Sequence, residues 1–260
     1  MASGQPIPLR PVKADGSQAD PVETVECRTC GAGAPTDDHF CPSCSRILTL
    51  GRHGDYFSFF GLPRQLQLDA QDLERRFREM SRKFHPDFFY NAPPAERLAS
   101  LERSSYLNDA YRALRDPVAR VEHLLAVEGL TSPKAHPSTS SGQVSFAKVP
   151  PSLLEEVFEL NEELDAIREA RESGADPASL RTRLDAARQP IEQKRDVHAR
   201  NLEALMARWD AAPERATLEG LRDLLLERNY INNLLATIDR EAAADPGSPI
   251  PDPPAGVHRG

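Results

Sequence analysis

Apolar positions recur along this chain at intervals of three and four residues, the period of a helix face. Leu73, Phe77, Met80 and Phe84 make the clearest such face, at spacings of four, three and four. At about 100° per residue, Arg75, Arg78 and Arg82 project from the opposite side, and Asp69 stands where an N-cap is expected. Pro86 cannot continue a helix and disfavours the α region for His85. The helix is therefore predicted to stop with His85 and Asp87 displayed beside the arginines. After the turn Asn91-Ala92-Pro93-Pro94, a second helix is predicted from Ala95 to Arg115, with Leu98, Leu101, Leu107, Ala110, Tyr111 and Leu114 as its apolar positions. Asp116-Pro117 ends it, and Val118 to Val127 reads as a further short helix closed by Gly129. Ahead of this hairpin, Asp55 to Pro63 reads as a brief aromatic helix whose rings fill a core and which Gly61 and Pro63 end.

A second helical module opens at Pro151. Leu153, Val157, Leu160, Leu164 and Ile167 form one apolar face. Leu154 and Phe158 fall about 100–140° away from it, beside Glu159 and Glu162. They are either part of a wide core stripe or exposed apolar contacts. The next helix, Ala178 to Trp209, carries Leu184, Ala187, Ile191, His198, Leu202, Leu205 and Trp209 at helical spacing, and Pro190 inside it predicts a bend or a break. His198 reads as a packed or half-exposed histidine, because no second ligand is near. A third helix, from about Pro213 to Ala243, has Leu218, Leu221, Leu224, Leu225, Ile231, Leu235 and Ile238 as its stripe, with Tyr230 pointing off it. With Leu180, these helices make a three-helix bundle.

Composition divides what lies between. Residues 1–26 are rich in Pro, Gly, Asp and Ser and read as a disordered leader. Residues 27–50 hold all four cysteines, 55–129 the hairpin, 130–150 a Ser/Thr/Pro-rich flexible linker, 151–243 the bundle and 244–260 a disordered tail. A charged content of 28% with 6% aromatics suits solvated helices better than a thick β core. The predicted class is all-α. A net charge of −8 argues against bulk nucleic-acid or membrane binding, while leaving room for local basic patches. No apolar run approaches the roughly 20 residues of a membrane span. The first residues lack the apolar core of a secretory signal and the arginines of a transit peptide, so a cytoplasmic location is expected over the mitochondrial matrix.

Cys27-Arg28-Thr29-Cys30 and Cys41-Pro42-Ser43-Cys44 are two CxxC pairs with ten residues between them. Four thiolates satisfy tetrahedral zinc and leave no open position, so the site is expected to be structural. An iron–sulfur cluster on the same sulfurs is the main rival; a redox role lacks the βαβ context it needs. His39 reads as a loop residue, not a ligand. A stretch this short cannot build its own core, so metal binding and folding are one event. Few basic residues surround the cysteines, which disfavours nucleic-acid binding there. An enzyme using His85 and Asp87 is disfavoured too: no nucleophile elbow, phosphate loop or third catalytic member accompanies them.

The segments DYFSFFGLP, RRFREMSRKFHPDFF and SSYLNDAYRALRDPVARVEHLL resemble a J domain. From Asp55 to about Arg240 the chain is similar to the HscB/Jac class of iron–sulfur assembly co-chaperones, some of which also carry an N-terminal CxxC–CxxC element. The resemblance implies that His85, Pro86 and Asp87, with Arg78, Arg82 and Lys83, contact a DnaK/HscA-type chaperone ATPase and stimulate its hydrolysis. Arg75 lies on the same basic face and joins that set. Such docking on an acidic surface fits a local basic face on a net-acidic protein. The resemblance also implies that Leu154, Phe158, Glu159, Glu162 and Tyr230 bind the iron–sulfur scaffold protein IscU. Phe88 stands where J domains often have Lys, and Glu155 replaces an apolar residue often found beside Leu154. The alternative is a general J-domain protein that delivers unfolded clients, with the cysteine element as a client surface. Homodimer formation stays open.

Overall fold

The computed structural model describes residues 24–50, 54–130 and 150–244. Most of the flexible linker, the tail and the leader expected from composition lies outside the described residues. Two compact units are present. One comprises the described residues up to 130 together with Met206–Glu219, the other residues 150–205 and those from Gly220 onward.

The first unit begins with a two-stranded antiparallel sheet, β1 (Thr24–Glu26) on β2 (Gly33–Pro35), with Val25 opposite Ala34. Residues 24–26, assigned to the leader from composition, are therefore ordered. The cause is local: Cys27 N–H donates to Ala32 O at 2.9 Å and carries the ladder into the first CxxC turn. Then come α1 (Tyr56–Phe59), α2 (Ala70–Phe84), a 3-10 turn at Pro86–Phe89, α3 (Pro94–Arg115) and α4 (Pro117–Val127). Three of these helices start at an aspartate cap: Asp55 accepts the Phe57 and Ser58 N–H groups, Asp69 that of Gln71 and Asp116 that of Ala119; α3 starts at a proline in its first turn. Asp55 also receives a forked Arg64 guanidinium, at 3.0 and 2.8 Å, and Arg64 reaches on to Glu128 at 2.9 Å.

Phe57, Leu73, Phe84, Leu107, Leu114, Val121, Leu124 and Leu125 are buried between these helices, and Phe77 stacks on Tyr111 at 4.2 Å. Leu98 and Leu101 contradict their expected place in the core: they are 56% and 55% exposed. The buried stripe of α3 runs instead through Glu96, Ser100, Arg103, Leu107, Ala110 and Leu114. Its first half is polar because it faces polypeptide backbone, as the site geometry below shows.

Arg120 is buried and spends its guanidinium on the carbonyls of Leu114 (2.6 Å), Arg115 and Leu66. The loop at 64–67 is held by Asp210, whose carboxylate accepts the N–H groups of Leu66 and Gln67, each at 2.7 Å. Beside it, the Trp209 indole N–H donates to Arg64 O at 3.0 Å.

The second unit is built from α5 (Leu154–Glu172), α6 (Pro177–Ala211) and α7 (Arg215–Ala243), less the residues counted above. Leu153, Val157, Leu160, Leu164 and Ile167 meet Leu180, Leu184, Ile191, Ile231, Leu234, Leu235 and Ile238 in one core, so the three-helix bundle is as expected. Arg168 and Arg171 both grip Glu241. Burial works against the Glu241 carboxylate, but these two guanidiniums hold its pKa below the ordinary range. The helix runs through Pro190 without a break. Pro190 cannot donate to the Ala186 carbonyl, and Ala186 is an exposed residue. His198 is buried with its Nε2 2.6 Å from Leu224 O, a packed histidine. Among the described residues, no helix is long and apolar enough to cross a membrane.

Candidate functional site

The His-Pro-Asp corner follows directly from the end of α2. His85 takes φ −58° and ψ 128°, the extended conformation Pro86 demands of its predecessor. Phe84 can then no longer give its carbonyl to the helix ladder, because the Phe88 N–H bonds His85 O instead. Ser100 and Ser104 of α3 fill the gap, donating to Phe84 O at 2.6 and 2.9 Å. Within the corner, His85 Nδ1 accepts the Asp87 N–H at 3.3 Å and lies 3.5 Å from the Asp87 carboxylate. With Nδ1 accepting, the neutral imidazole carries its proton on Nε2. Both side chains are exposed. The corner thus offers a donor and a carboxylate side by side, with Phe88 exposed next to them.

The basic face of α2 is not uniform. Arg75 pairs with Asp72 and Glu79, and Arg78 with Glu74 at 2.6 Å. Arg82 and Lys83 are exposed and, among the described residues, enter no ion pair, so the uncompensated positive charge gathers in the turn next to His85.

The four cysteines converge as the spacing predicts: all their sulfurs lie within 4.8 Å of one another. Cys27–Cys44 and Cys30–Cys41 are each 3.7 Å apart, too far for a disulfide. A regular tetrahedron of about 2.3 Å metal–sulfur bonds places its sulfurs about 3.8 Å apart. The donor set therefore fits a four-thiolate metal.

The two CxxC turns repeat one design. Cys27 Sγ takes the N–H groups of Thr29 and Cys30, and Cys30 Sγ that of Ala32; Cys41 Sγ takes those of Ser43 and Cys44, and Cys44 Sγ that of Arg46. Gly31 and Ser45 occupy the matching left-handed positions, φ 75° and 57°. The thiols spread apart in acidity. Those backbone donors bring Cys27 down to about 6. The Arg46 N–H favours the Cys44 thiolate, but burial and three neighbouring sulfurs outweigh it and push Cys44 up to about 12. Four sulfurs at this range ionise together only around a cation.

Sequence reasoning missed what joins these two features. His39, read as a loop residue, is a structural contact. Its Nδ1 accepts from Arg103 at 2.7 Å, so its Nε2–H donates to Phe59 O at 3.1 Å, and burial followed by the Arg103 charge lowers its pKa to about 4. Buried Arg103 also donates to the carbonyls of Leu48 (2.8 Å), Thr49 (3.2 Å) and Asp38 (3.3 Å), and burial draws its pKa down to about 10. Glu96 meets Arg46 at 3.3 Å. Counting back from Leu107 by four, three and four gives Arg103, Ser100 and Glu96. That period was the available signal, hidden because the residues are polar.

On α5, Leu154 and Phe158 are 44% and 65% exposed and lie one turn apart, with Glu159 and Glu162 exposed beside them. The pair is therefore exposed and is not part of a wide core stripe. Tyr230 departs from its expected place off the stripe: it packs, half-buried, against the edge of the bundle core. It directly precedes Ile231, and its ring folds over the edge of the stripe, which raises its hydroxyl pKa through burial.

The chain is similar in fold to the human co-chaperone protein HscB, at 23% identity and a TM-score of 0.57, over 84% of this chain and 98% of the human one. The chaperone HscB from Vibrio cholerae matches 72% of this chain and 96% of its own, at 26% identity and a TM-score of 0.45. No family model matches the chain.

Proposed function

We propose that this protein is a co-chaperone of iron–sulfur cluster assembly, not an enzyme in its own right. It stimulates a DnaK/HscA-type chaperone ATPase through His85, Pro86 and Asp87, aided by Arg75, Arg78, Arg82 and Lys83. It delivers an IscU-type scaffold protein held at Leu154, Phe158, Glu159, Glu162 and Tyr230. Its four cysteines hold a structural zinc ion. The observation that carries this reading is the corner itself: an outward imidazole N–H and carboxylate, fixed from behind by two serines, next to exposed Arg82 and Lys83, which enter no ion pair among the described residues. Charge of that kind steers docking onto an acidic partner. The fold shared with human HscB supports it. An apolar pair with a glutamate rim suits a modest, reversible interface on the second unit.

The test is ATPase stimulation of a DnaK-type chaperone by the purified protein, with and without the scaffold. Synergy between the two ligands is expected, and His85→Gln should abolish stimulation while leaving the fold intact. Full stimulation by that variant refutes the role of the corner. Capture of many unfolded chains in place of one folded scaffold would favour the general client-delivering reading.

A further inference from the structure

Phe84 is the last residue of α2, and the chain turns at His85 directly after it. Its ring is wholly buried. Much of its cover comes from the cysteine element: His39 meets it edge-on with ring centres 5.0 Å apart, and Phe40 stacks on it at 5.9 Å. Phe40 is paired in turn with Ile47 across the second CxxC turn. Arg103 lies over the same ring at 5.8 Å, with its donors committed to His39 and to the carbonyls of Asp38, Leu48 and Thr49. All of these acceptors fall in the stretch 38–49, which the second CxxC turn closes.

That stretch cannot hold its shape unaided. It belongs to the cysteine element, whose internal core is only Cys27, Ala34, Cys41 and Leu48, too little apolar area to fold without a staple. We infer that the metal-loaded cysteine element is a buttress for the His85–Asp87 corner, with Phe40 as the positioning residue that transmits metal occupancy to Phe84. Its consequence for chaperone stimulation rests on the function proposed above; its structural content does not. The coupling is reciprocal: whatever loosens Phe84 weakens the hold of the four sulfurs on their metal. The hydroxyl bonds from Ser100 and Ser104 belong to the helical hairpin itself and outlast the element. Metal loss therefore loosens the corner and leaves the hairpin standing.

The experiment compares the full chain loaded with zinc, stripped by a chelator, and reloaded. Amide hydrogen exchange is followed at 84–90, thiol titration confirms the metal state, and chaperone ATPase stimulation is read in parallel. Stripping should speed exchange at 84–90 on the order of tenfold, with reversal on reloading. Phe40→Ala should keep its zinc and its helical circular dichroism yet show the same faster exchange, and Phe40→Leu should restore much of the protection. Unchanged exchange at 84–90 in both stripped protein and Phe40→Ala overturns the buttress, even if the chaperone responds normally. Faster exchange in a protein whose loaded form never stimulates the chaperone supports the buttress and removes the chaperone reading instead. Should stripping unfold the whole first unit, the zinc-loaded Phe40→Ala comparison decides alone.

Discussion

Ser100 and Phe84 sit sixteen positions apart, and the serine hydroxyl donates to the phenylalanine carbonyl at 2.6 Å. Ser104 donates to the same oxygen at 2.9 Å, so both lone pairs of a buried acceptor are used. Ser100→Ala and Ser104→Ala are each expected to cost about 1 kcal/mol. The double variant, which leaves that carbonyl without a partner, should cost about 3 kcal/mol. Urea-unfolding midpoints of the three variants check this.

Gly31 and Ser45 hold equivalent left-handed positions, φ 75° and 57°. Gly31→Ala should destabilise the metal-loaded element by about 1–2 kcal/mol, the cost of a Cβ in that region. Ser45→Gly should act the other way, by about 0.5–1 kcal/mol, since a glycine there carries no such strain. Competition of each variant against a graded series of chelators measures both, because metal binding and folding are linked here.

His123 accepts the Tyr56 N–H on Nε2 at 2.9 Å and stacks on the Tyr56 ring at 4.1 Å. Burial lowers its pKa from the ordinary 6.5; Asp55 partly opposes this and Arg64 adds to it. Below 6.5 the unfolded chain takes up a proton that the folded one resists. The stability contributed is therefore complete above that pH and is lost as pH falls through it. Unfolding free energy should decline from pH 7.5 to pH 5; buried His39 contributes to that decline in the same sense, and His123→Gln should remove only the part due to His123. A slope of the same size in the variant would assign the decline to other groups.

Asp210 receives two backbone N–H groups, from Leu66 and Gln67. Asp210→Ala leaves both without an acceptor and is expected to cost about 2 kcal/mol, with Asp210→Asn recovering part of it. Thermal unfolding followed by circular dichroism is the readout.

Leu154 and Phe158 are exposed, so Leu154→Ser with Phe158→Ser should change stability by no more than about 0.5 kcal/mol. If they anchor the scaffold, affinity should fall by about tenfold or more, as for central apolar contacts elsewhere. Calorimetric titration with a purified scaffold protein separates the two effects; unchanged affinity would remove this face from the interface.

The helices were legible wherever hydrophobicity and helical period agree, as at Leu73, Phe77, Met80 and Phe84 or along Leu153 to Ile167. They agree because those faces pack on other side chains, and only apolar groups do that without partners. The reading failed where a helix packs on backbone. Glu96, Ser100 and Arg103 sit at core positions because carbonyl groups and a second chain segment need donors and charge there. A search for apolar residues therefore moved to exposed Leu98 and Leu101. The sulfur cluster was readable because CxxC spacing alone brings two thiolates to one ion. The contact of His39 with Arg103 joins residues sixty-four positions apart and left no local mark. The proline corner was readable from Pro86, whose ring dictates the conformation of His85. The pairing of Arg75 and Arg78 with their own helix was missed, although Asp72, Glu74 and Glu79 stand three or four residues away.

Trp209 is the single tryptophan of the chain. Its indole is buried and bonded to Arg64 within the first unit. Nature has thereby installed one fluorophore in a molecule of two parts. Emission excited where only tryptophan absorbs will track melting of the hairpin side, while the bundle contributes to the far-ultraviolet signal. Mismatch between the two optical signals during a single titration would resolve the parts without any label.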